Sequence, residues 1–400
     1  MKLILSCLFL TLPFQNIVIA DILTLYEIFL LAGLVILFAQ IAMRKIEIRL
    51  VISDVLVFAY AIIFLMAVFN YSESFYNAAR NYRWLVLTPV TIYALIRFCP
   101  LSVSTLNNLA LLIIPGCLWQ GTFLFIRFLE GYGLRPEYFA EYSSPVTLSF
   151  LFAFCAFIVF FTKPKKGNIY IAVLRWVLFS VMIIFLIITY QRAIFIGFIS
   201  LLTLWLWLKD NSKLRILFSK SIFLFLIGIL ALILSNVPFR SDVNYMEIRS
   251  LQKTYERLVS VELYLADIEN RLSLWQNAAH QAIATNPLWG MGMDSWDITS
   301  SSVTEMYYGT AHSAMVSSIR LAGLSGLILL LAVILTTYNT FNRASETSTP
   351  LNNMWIISYL SFSLLLLLVL TNDFSGGRAT LFFLLVALAV KSNISVEEIG

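Results

Sequence analysis

Apolar stretches of about 20 residues recur along the whole chain, and this feature restricts the fold more than any other. A helix of that length rises far enough to cross the hydrocarbon core of a bilayer. Only 12% of the residues are charged and the mean hydropathy is +0.87, whereas a soluble domain carries roughly 25% charged residues. The chain is therefore predicted to be an all-α integral membrane protein.

About twelve runs are predicted to cross the membrane as helices. They lie near residues 3–19, 22–42, 51–69, 84–98, 105–128, 146–162, 170–189, 193–208, 221–236, 312–337, 354–371 and 379–390. The first run resembles a signal peptide, but another span starts directly at Ile22, so an uncleaved first helix is preferred. With no internal repeat and no separate soluble domain, 1–400 is predicted to be one transmembrane domain.

Basic loops predict the orientation, because cytoplasmic loops are enriched in lysine and arginine. Three such loops surround Arg44, Lys165 and Lys213, and an even number of crossings must separate them. The apolar stretch 170–208 must then be a hairpin that turns at the periplasmic face. Its only polar break is Thr189-Tyr190-Gln191-Arg192.

The longest periplasmic segment in this topology is 237–311, between spans nine and ten. Its first half has apolar residues at helical spacing from Leu251 to Ala279, which predicts an amphipathic helix. Asn286-Pro287 is predicted to end that helix, because the residue before a proline disfavours helical backbone. The fold class is therefore a helical membrane protein with a helical periplasmic loop.

Lysines and arginines are distributed differently between the two predicted faces. Of the ten lysines, all but Lys253 fall on the cytoplasmic side. The periplasmic side keeps Arg80, Arg83, Arg135, Arg192, Arg240, Arg249, Arg257, Arg271 and Arg378. A guanidinium binds phosphate oxygens through a bidentate fork, so this retention indicates an anionic ligand such as a diphosphate. For most of the set, snorkelling or the binding of lipid headgroups and loop carboxylates is the preferred explanation. Arg192 is the exception, because an unpaired charge in a tight apolar hairpin is costly.

His312 begins the tenth predicted span and is a candidate general base, because imidazole accepts a proton near neutral pH. Taken alone, a histidine at a helix start is more often a cap or an interfacial residue. The other histidine is His280, on the amphipathic loop helix. Two histidines exclude a histidine-rich metal site, and no Asp-x-Asp pair occurs, so neither a metal nor another cofactor is expected.

Four local patterns resemble the O-antigen ligase and O-antigen polymerase family, over roughly residues 176–390. The first is the turn Thr189 to Arg192, similar to the family's Thr-x-x-Arg turn. The others are Arg271-Leu272-Ser273-Leu274-Trp275 followed by Pro287-Leu288-Trp289-Gly290-Met291-Gly292; His312-Ser313 with Gly323 and Gly326; and Asn372-Asp373 with Arg378. Serine after the histidine and Gln191 before the arginine depart from the family pattern.

The resemblance implies a metal-independent, inverting membrane glycosyltransferase that uses an undecaprenyl diphosphate-linked glycan as donor. Ligases transfer the glycan to lipid A-core, and polymerases transfer it to another glycan. The implied location is the bacterial inner membrane, with the active site facing the periplasm and membrane lipids around it; no nucleic acid partner is implied. His312 would activate the acceptor hydroxyl, and Arg192, Arg271 and Arg378 would bind the donor diphosphate.

Ligase is the preferred reading. Polymerases of the family often carry an arginine followed eleven residues later by glycine, and no arginine here has a glycine at that offset. The alternative is an O-antigen or exopolysaccharide polymerase. A transporter or flippase is the third class, which typically shows repeated halves and broken helices near the midplane. The sequence shows neither, although Arg320, two turns into span ten, needs a partner under every reading.

Overall fold

The computed structural model describes residues 1–15, 17–19, 23–46, 48–70, 74–129, 145–161, 169–189, 191–208, 261–293, 298–299, 308–309, 313–347, 353–371 and 376–397. The helices in these ranges are α1 (Lys2–Thr11), α2 (Leu25–Ala42), α3 (Ile52–Asn70), α4 (Phe75–Tyr82), α5 (Thr88–Phe98), α6 (Val103–Ala110), α7 (Ile113–Arg127), α8 (Pro145–Phe161), α9 (Ile169–Ile188), α10 (Arg192–Leu208), α11 (Val261–Thr285), α12 (Ala314–Thr347), α13 (Asn353–Thr371) and α14 (Gly376–Glu397). Two antiparallel two-residue pairs accompany them: β1 (Val18–Ile19) with β2 (Leu23–Thr24), and β3 (Ile298–Thr299) with β4 (Tyr308–Gly309).

The protein is a helical, multi-pass membrane protein, as predicted. Helices lie at every predicted span except 221–236, which is outside the described residues. The predicted break within 170–208 is confirmed, since α9 ends at Ile188 and α10 begins at Arg192, while its turn at the periplasmic face stays a prediction. The end of the loop helix is also confirmed, because α11 stops at Thr285, directly before Asn286.

Several predicted spans differ from the helices in the structure. The first is short, because α1 ends at Thr11 and a 3-10 turn and the β1–β2 pair follow it. The fifth is interrupted by a turn at 111–112 between α6 and α7. The fourth was placed at 84–98, but its helix already begins at Phe75, because a π-helical turn (Arg83–Leu87) joins α4 to α5 without a break.

Four helices in the described ranges are long and apolar enough to cross a membrane by length and composition: Leu25–Ala42, Ile52–Phe69, Val103–Arg127 and Ala314–Asn342. Shorter apolar helices accompany them. Apolar side chains such as Val35, Phe38 and Ile62 are more than half exposed. Such exposure suits a surface that faces lipid, since hydrocarbon tails solvate apolar side chains. The number of spans, about twelve, stays a prediction.

The chain forms two compact units, with boundaries inside α7 and α11: Met1–Gly116 with Tyr264–Gly400, and Cys117–Leu263. In the first unit, α14 packs on α5, α12 packs on α3, α13 and α14, and α2 packs on α1 and α5. Aromatic side chains fill this core; the ring of Tyr60 lies 4.4 Å from that of Phe64 and 5.6 Å from that of Phe383. The single transmembrane domain over 1–400 stays a prediction.

The second unit is built on α8, which packs against α9 and α10. The rings of Phe157 and Phe198 lie 4.6 Å apart at the centre of this contact. Near the α9–α10 turn, the hydroxyl groups of Ser149 and Thr189 are hydrogen-bonded at 2.6 Å, and Thr189 Oγ1 also donates to the carbonyl of Leu186. Thr189, the first residue of the turn, is therefore hydrogen-bonded to a neighbouring helix.

Candidate active site at a broken helix

The loop helix α11 ends in an irregular segment of fixed geometry. The side-chain oxygen of Asn286 accepts a hydrogen bond from the Trp289 amide at 3.2 Å, and its carbonyl accepts one from the Gly290 amide at 2.9 Å. Gly290 and Gly292 have φ angles of +71° and +95°, in the region that favours glycine. The sequence Pro287 to Gly292 therefore turns sharply and does not continue the helix.

Helix α12 is broken eight residues after its start. Ala322 has φ −131° and ψ 15°, and Gly323 has φ 66° and ψ −161°. Such a break releases backbone donors and acceptors that lipid cannot satisfy, so other protein groups must do so. The sequence reading that no helix is broken was wrong, because Gly323 was taken as a packing residue.

The segment after α11 supplies those partners. The amide of Met291 donates to the carbonyl of Arg320 at 2.7 Å, and the amide of Gly292 donates to that of Leu321 at 3.2 Å. In return, the amides of Leu324 and Ser325 donate to the carbonyls of Pro287 (2.8 Å) and Leu288 (3.4 Å). We call residues 286–293 and 320–325 together the joint.

The two segments of the joint lie so close together that there is no room for a side chain at Gly290 or Gly323. A Cβ atom on Gly290 would lie 2.6 Å from the carbonyl oxygen of Arg320, and one on Gly323 would lie 2.4 Å from the carbonyl of Leu288. All of these neighbours are backbone atoms, which cannot move aside as a flexible side chain can. The two glycines are therefore required by the contact itself.

Arg320 lies directly before the break and is 5% exposed. Its Nη1 donates to Oε1 of Gln281 on α11 at 3.4 Å, which supplies a partner that the sequence could not identify. Below this contact Leu274 and Val316 pack against the buried side chain of Ala278. Two residues of α11, Ala278 and Gln281, therefore contact the first half of α12.

Two further contacts hold the joint end of the first unit. The side-chain amide of Asn81 on α4 donates to the carbonyl of Met293 at 2.8 Å, and the hydroxyl of Tyr82 donates to the carbonyl of Ala61 at 3.1 Å. Helix α4 thus connects the joint to α3. Sequence inspection did not single out Asn81, and its separation of 212 residues from Met293 leaves no local signal.

A buried carboxylate lies where α2 meets the π-helical turn. Glu27, 4% exposed, forms a capping box with Thr24 at the start of α2. Its Oε1 accepts a hydrogen bond from Thr88 at 3.2 Å and lies 3.4 Å from Nε of Arg83. π-Helical turns are frequent at functional sites, and this turn brings Arg83 to Glu27. Neither residue of this ion pair had been paired by the sequence analysis.

The structure places the predicted site residues as follows. Arg192 is the first residue of α10 and belongs to the unit Cys117–Leu263. Arg271 lies on α11 and Arg378 is the third residue of α14; both belong to the other unit, and Arg378 is half-buried. His312 lies outside the described residues, but the next residue, Ser313, is 3% exposed and its carbonyl accepts the first hydrogen bond of α12.

Arg271 and the start of α12 are related by helix register. Ala278 packs against Val316 in the first turn of α12, and Arg271 precedes Ala278 on α11 by seven residues, or about two helical turns. His312 precedes Ala314, the first residue of α12, by two residues. The helices α11 and α12 run in the same direction where they touch, because Ala278 meets Val316 and Gln281 meets Arg320. Arg271 and His312 each precede this contact, on α11 and before α12 respectively. Among the described residues, no group of three or more His, Cys, Asp or Glu side chains could hold a metal ion.

Comparison with known proteins identifies the segment that contains this site. Residues 177–331 match the family model described as O-Antigen ligase. The match begins within α9 and ends within α12, so it covers α10, α11 and the joint. No curated protein matches the chain. The resemblance to the O-antigen ligase and polymerase family, stated from the sequence, is confirmed by this match.

Proposed function

We propose that this multi-pass membrane protein, with its O-antigen ligase domain at residues 177–331, is a ligase that transfers a glycan from undecaprenyl diphosphate to lipid A-core. Transfer would take place at the periplasmic face of the bacterial inner membrane. The observation that carries the proposal is the family match, which includes Arg192, Arg271 and His312, three of the four candidate site residues. Arg378 lies beyond the matched segment.

In the proposed reaction, His312 accepts the proton of the acceptor hydroxyl. The hydroxyl oxygen then bonds to the anomeric carbon of the donor, and the bond from that carbon to the diphosphate oxygen breaks. Attack from the opposite side inverts the anomeric configuration. Undecaprenyl diphosphate leaves with its negative charge, so the step requires charge stabilisation and no strong general acid. We expect no metal ion to take part.

Arg192, Arg271 and Arg378 would supply that stabilisation. A guanidinium holds two phosphate oxygens at once, and its charge opposes the charge that develops on the leaving group. All three arginines lie on helices: Arg192 and Arg378 within the first three residues of α10 and α14, and Arg271 in the middle of α11. A site built on helices is held in its geometry more precisely than a site built on loops.

The placement of α11 supports a site that combines Arg271 and His312. The contacts of Ala278 with Val316, and of Gln281 with Arg320, fix α11 beside the first half of α12. Arg271 precedes this contact on α11, and His312 precedes it just before the start of α12. A donor diphosphate bound by Arg271 would then lie near the base that activates the acceptor.

The second candidate is a polymerase of the same family, which would differ only in its acceptor. The absence of an arginine with glycine eleven residues later favours the ligase. The sequence analysis argued against a transporter or flippase because it found no broken helix. That argument no longer holds, since α12 is broken at Gly323. The O-antigen ligase match now provides the argument against that class.

The lipopolysaccharide profile of a deletion strain tests the proposal. A ligase deletion removes all long chains from lipid A-core while the carrier-linked polymer remains. A polymerase deletion leaves cores that bear one repeat unit. Unchanged profiles of both lipopolysaccharide and carrier-linked glycan would reject both candidates.

A further inference from the structure

The joint is more constrained than the packing of two helices requires. Gly323 combines a φ of 66° with a ψ of −161°, a backbone conformation that is essentially restricted to glycine. Four hydrogen bonds cross between the two chain segments, two in each direction. Two carbonyls before the break and two amides after it are therefore hydrogen-bonded to the segment 286–293.

The break divides α12 into two half-helices. The second half, from Leu324 onwards, contains the contact of Gly326 with Phe64 on α3. The first half, from Ala314 to Leu321, joins the second at the non-helical residues Ala322 and Gly323. At such a break the direction of a half-helix depends on the groups that contact it, and less on the hydrogen bonding of a regular helix.

Several contacts hold the first half. The amides of Met291 and Gly292 donate to its last carbonyls, Gln281 accepts from the Arg320 side chain, and Ala278 packs against Val316. These three contacts come from α11 and the segment that follows it, whereas Ser318 hydrogen-bonds with Tyr60 of α3. The helix that carries Arg271 therefore also fixes the half-helix that follows His312.

We propose that the joint is a positioning device, which holds the start of α12 at a fixed distance and angle from α11. Gly290, Gly323 and Gln281 are its positioning residues; none of them is proposed to touch substrate. This inference rests on the proposed function, because the position that matters is that of His312 relative to the donor bound at Arg271. It also explains why a loop segment without reactive side chains, Pro287 to Gly292, belongs to the matched domain.

The alternative role for the joint is stability alone, and kinetics separate the two. If the joint only stabilises the fold, its loss lowers the amount of active protein, and the remaining folded molecules turn over normally. If it positions the base, folded variants bind donor normally but react slowly. A displacement of about 1 Å can lower a rate by about 100-fold.

The experiment uses the full-length protein purified into nanodiscs, with Gly323→Ala and Gln281→Ala as variants. Gly33→Ala is the matched control, because Gly33 is also a buried glycine in a membrane helix. A Cβ atom there would meet only the flexible side-chain ends of Leu95 and Ile4, at 3.0 and 3.3 Å. Hydrogen exchange by mass spectrometry follows the amides of Met291 and Gly292, which lie outside any helix, so that their protection reports the joint.

We expect protected Met291 and Gly292 amides in the wild-type protein and loss of protection in Gly323→Ala. In that variant kcat should fall about 10- to 100-fold per folded molecule, with the donor KM within about 2-fold of wild type. Gln281→Ala should lower kcat by a smaller factor, and Gly33→Ala should change neither parameter. If Gly323→Ala does not fold, Gln281→Ala decides: reduced kcat at constant donor KM supports the proposal, and wild-type kcat overturns it.

Wild-type kcat in a folded Gly323→Ala protein that has lost protection would overturn the proposal, as would unprotected Met291 and Gly292 amides in the wild type. The test remains valid if the ligase assignment fails. Exchange is measured without substrate, and kcat is compared for whichever product the wild-type protein forms, ligated core or extended polymer. Failure of the ligase assignment would appear as the wrong product in the wild type, not as a changed ratio between variants.

Discussion

The two ends of the first unit are held together by different chemical groups. At the predicted cytoplasmic end, side chains connect α3, α5 and α14. The carboxylate of Asp54, 0% exposed, accepts hydrogen bonds from Tyr93 at 2.5 Å and from two nitrogens of Arg97 at 3.1 Å each. Lys391 of α14 donates to the carbonyl of Cys99 at 2.6 Å. We call this set the ion-pair cluster.

At the other end, in the joint, backbone groups make the connection. The two ends therefore differ in what a substitution can do. Side chains of the ion-pair cluster can be exchanged together for apolar ones without a change of backbone conformation, although the Val51 amide and the Arg49 and Cys99 carbonyls lose a partner. The joint, in contrast, depends on glycine conformations that no other residue adopts easily. With the joint acting as proposed, we expect the ion-pair cluster to contribute mainly to stability and the joint mainly to positioning.

The largest effect is expected beyond the joint, at His312. Loss of a general base lowers a rate by about 10²–10⁴-fold. His312→Ala should therefore abolish detectable glycan transfer by the purified protein, while protein level and donor binding persist. His280→Ala is the control, since His280 is exposed on α11 and is not part of the proposed chemistry. Near-normal transfer by folded His312→Ala protein would exclude the base and leave Glu305 or Asp373 as the next candidates.

At the opposite end, Asp54→Ala should affect stability and leave the chemistry intact. Removal of one partner from a buried ion pair costs about 3–5 kcal/mol, because the other charge stays buried. The thermal unfolding midpoint in detergent should fall strongly, while kcat per folded molecule stays at the wild-type value. The double variant Asp54→Leu with Arg97→Met should recover much of the loss. A reduced kcat in the folded double variant would contradict the separation of the two ends.

Arginine-to-lysine substitutions test whether the proposed donor site needs the guanidinium group itself or only its positive charge. Arg192→Lys and Arg271→Lys keep the positive charge but lose the bidentate fork. The loss of one charge-assisted hydrogen bond corresponds to about a 10-fold decrease in kcat/KM for the donor. Arg80→Lys is the matched control, because Arg80 is exposed on α4. Wild-type transfer by both site variants would reduce these arginines to contacts with lipid headgroups.

The smallest effect is expected for Lys391→Met. The variant loses the hydrogen bond to the Cys99 carbonyl but keeps the ion pair of Asp54 with Arg97, whose Nε lies 3.1 Å from Oδ1. A cost of about 1 kcal/mol or less is expected, visible as a small fall in the unfolding midpoint. A loss as large as that of Asp54→Ala would show that the lysine, and not the ion pair, holds this end together.

Local signals predicted much of the fold. Apolar runs located the helices, the polar break at Thr189 to Arg192 located the α9–α10 turn, and Asn286-Pro287 located the end of α11. The π-helical turn could not be predicted in this way. Pro89, two residues after the turn, has no amide to bond the Leu85 carbonyl, but a proline alone predicts a helix start or a kink and not a π-helical turn.

The site was predicted less completely than the helices, because its contacts join segments that are far apart in the sequence. The glycines of the joint were visible, and their order supported the family resemblance, but glycine spacing alone fitted helix packing equally well. Only the three-dimensional structure shows that Gly290 and Gly323 lie against each other's backbones. Asp54 with Arg97, 43 residues apart, and Asn81 with Met293 are also pairings between distant segments, which no periodicity encodes.

The central claim is that the transfer chemistry faces the periplasm, and cysteine labelling tests it most directly. Single cysteines would replace Arg192, Ser250, Lys165 and Asn211 in a background without the four native cysteines. Intact cells would then be treated with a membrane-impermeant maleimide. We predict that positions 192 and 250 react from the periplasm and that positions 165 and 211 react only after the cells are opened. Labelling of position 192 from the cytoplasm alone would contradict both the predicted hairpin orientation and the proposed site.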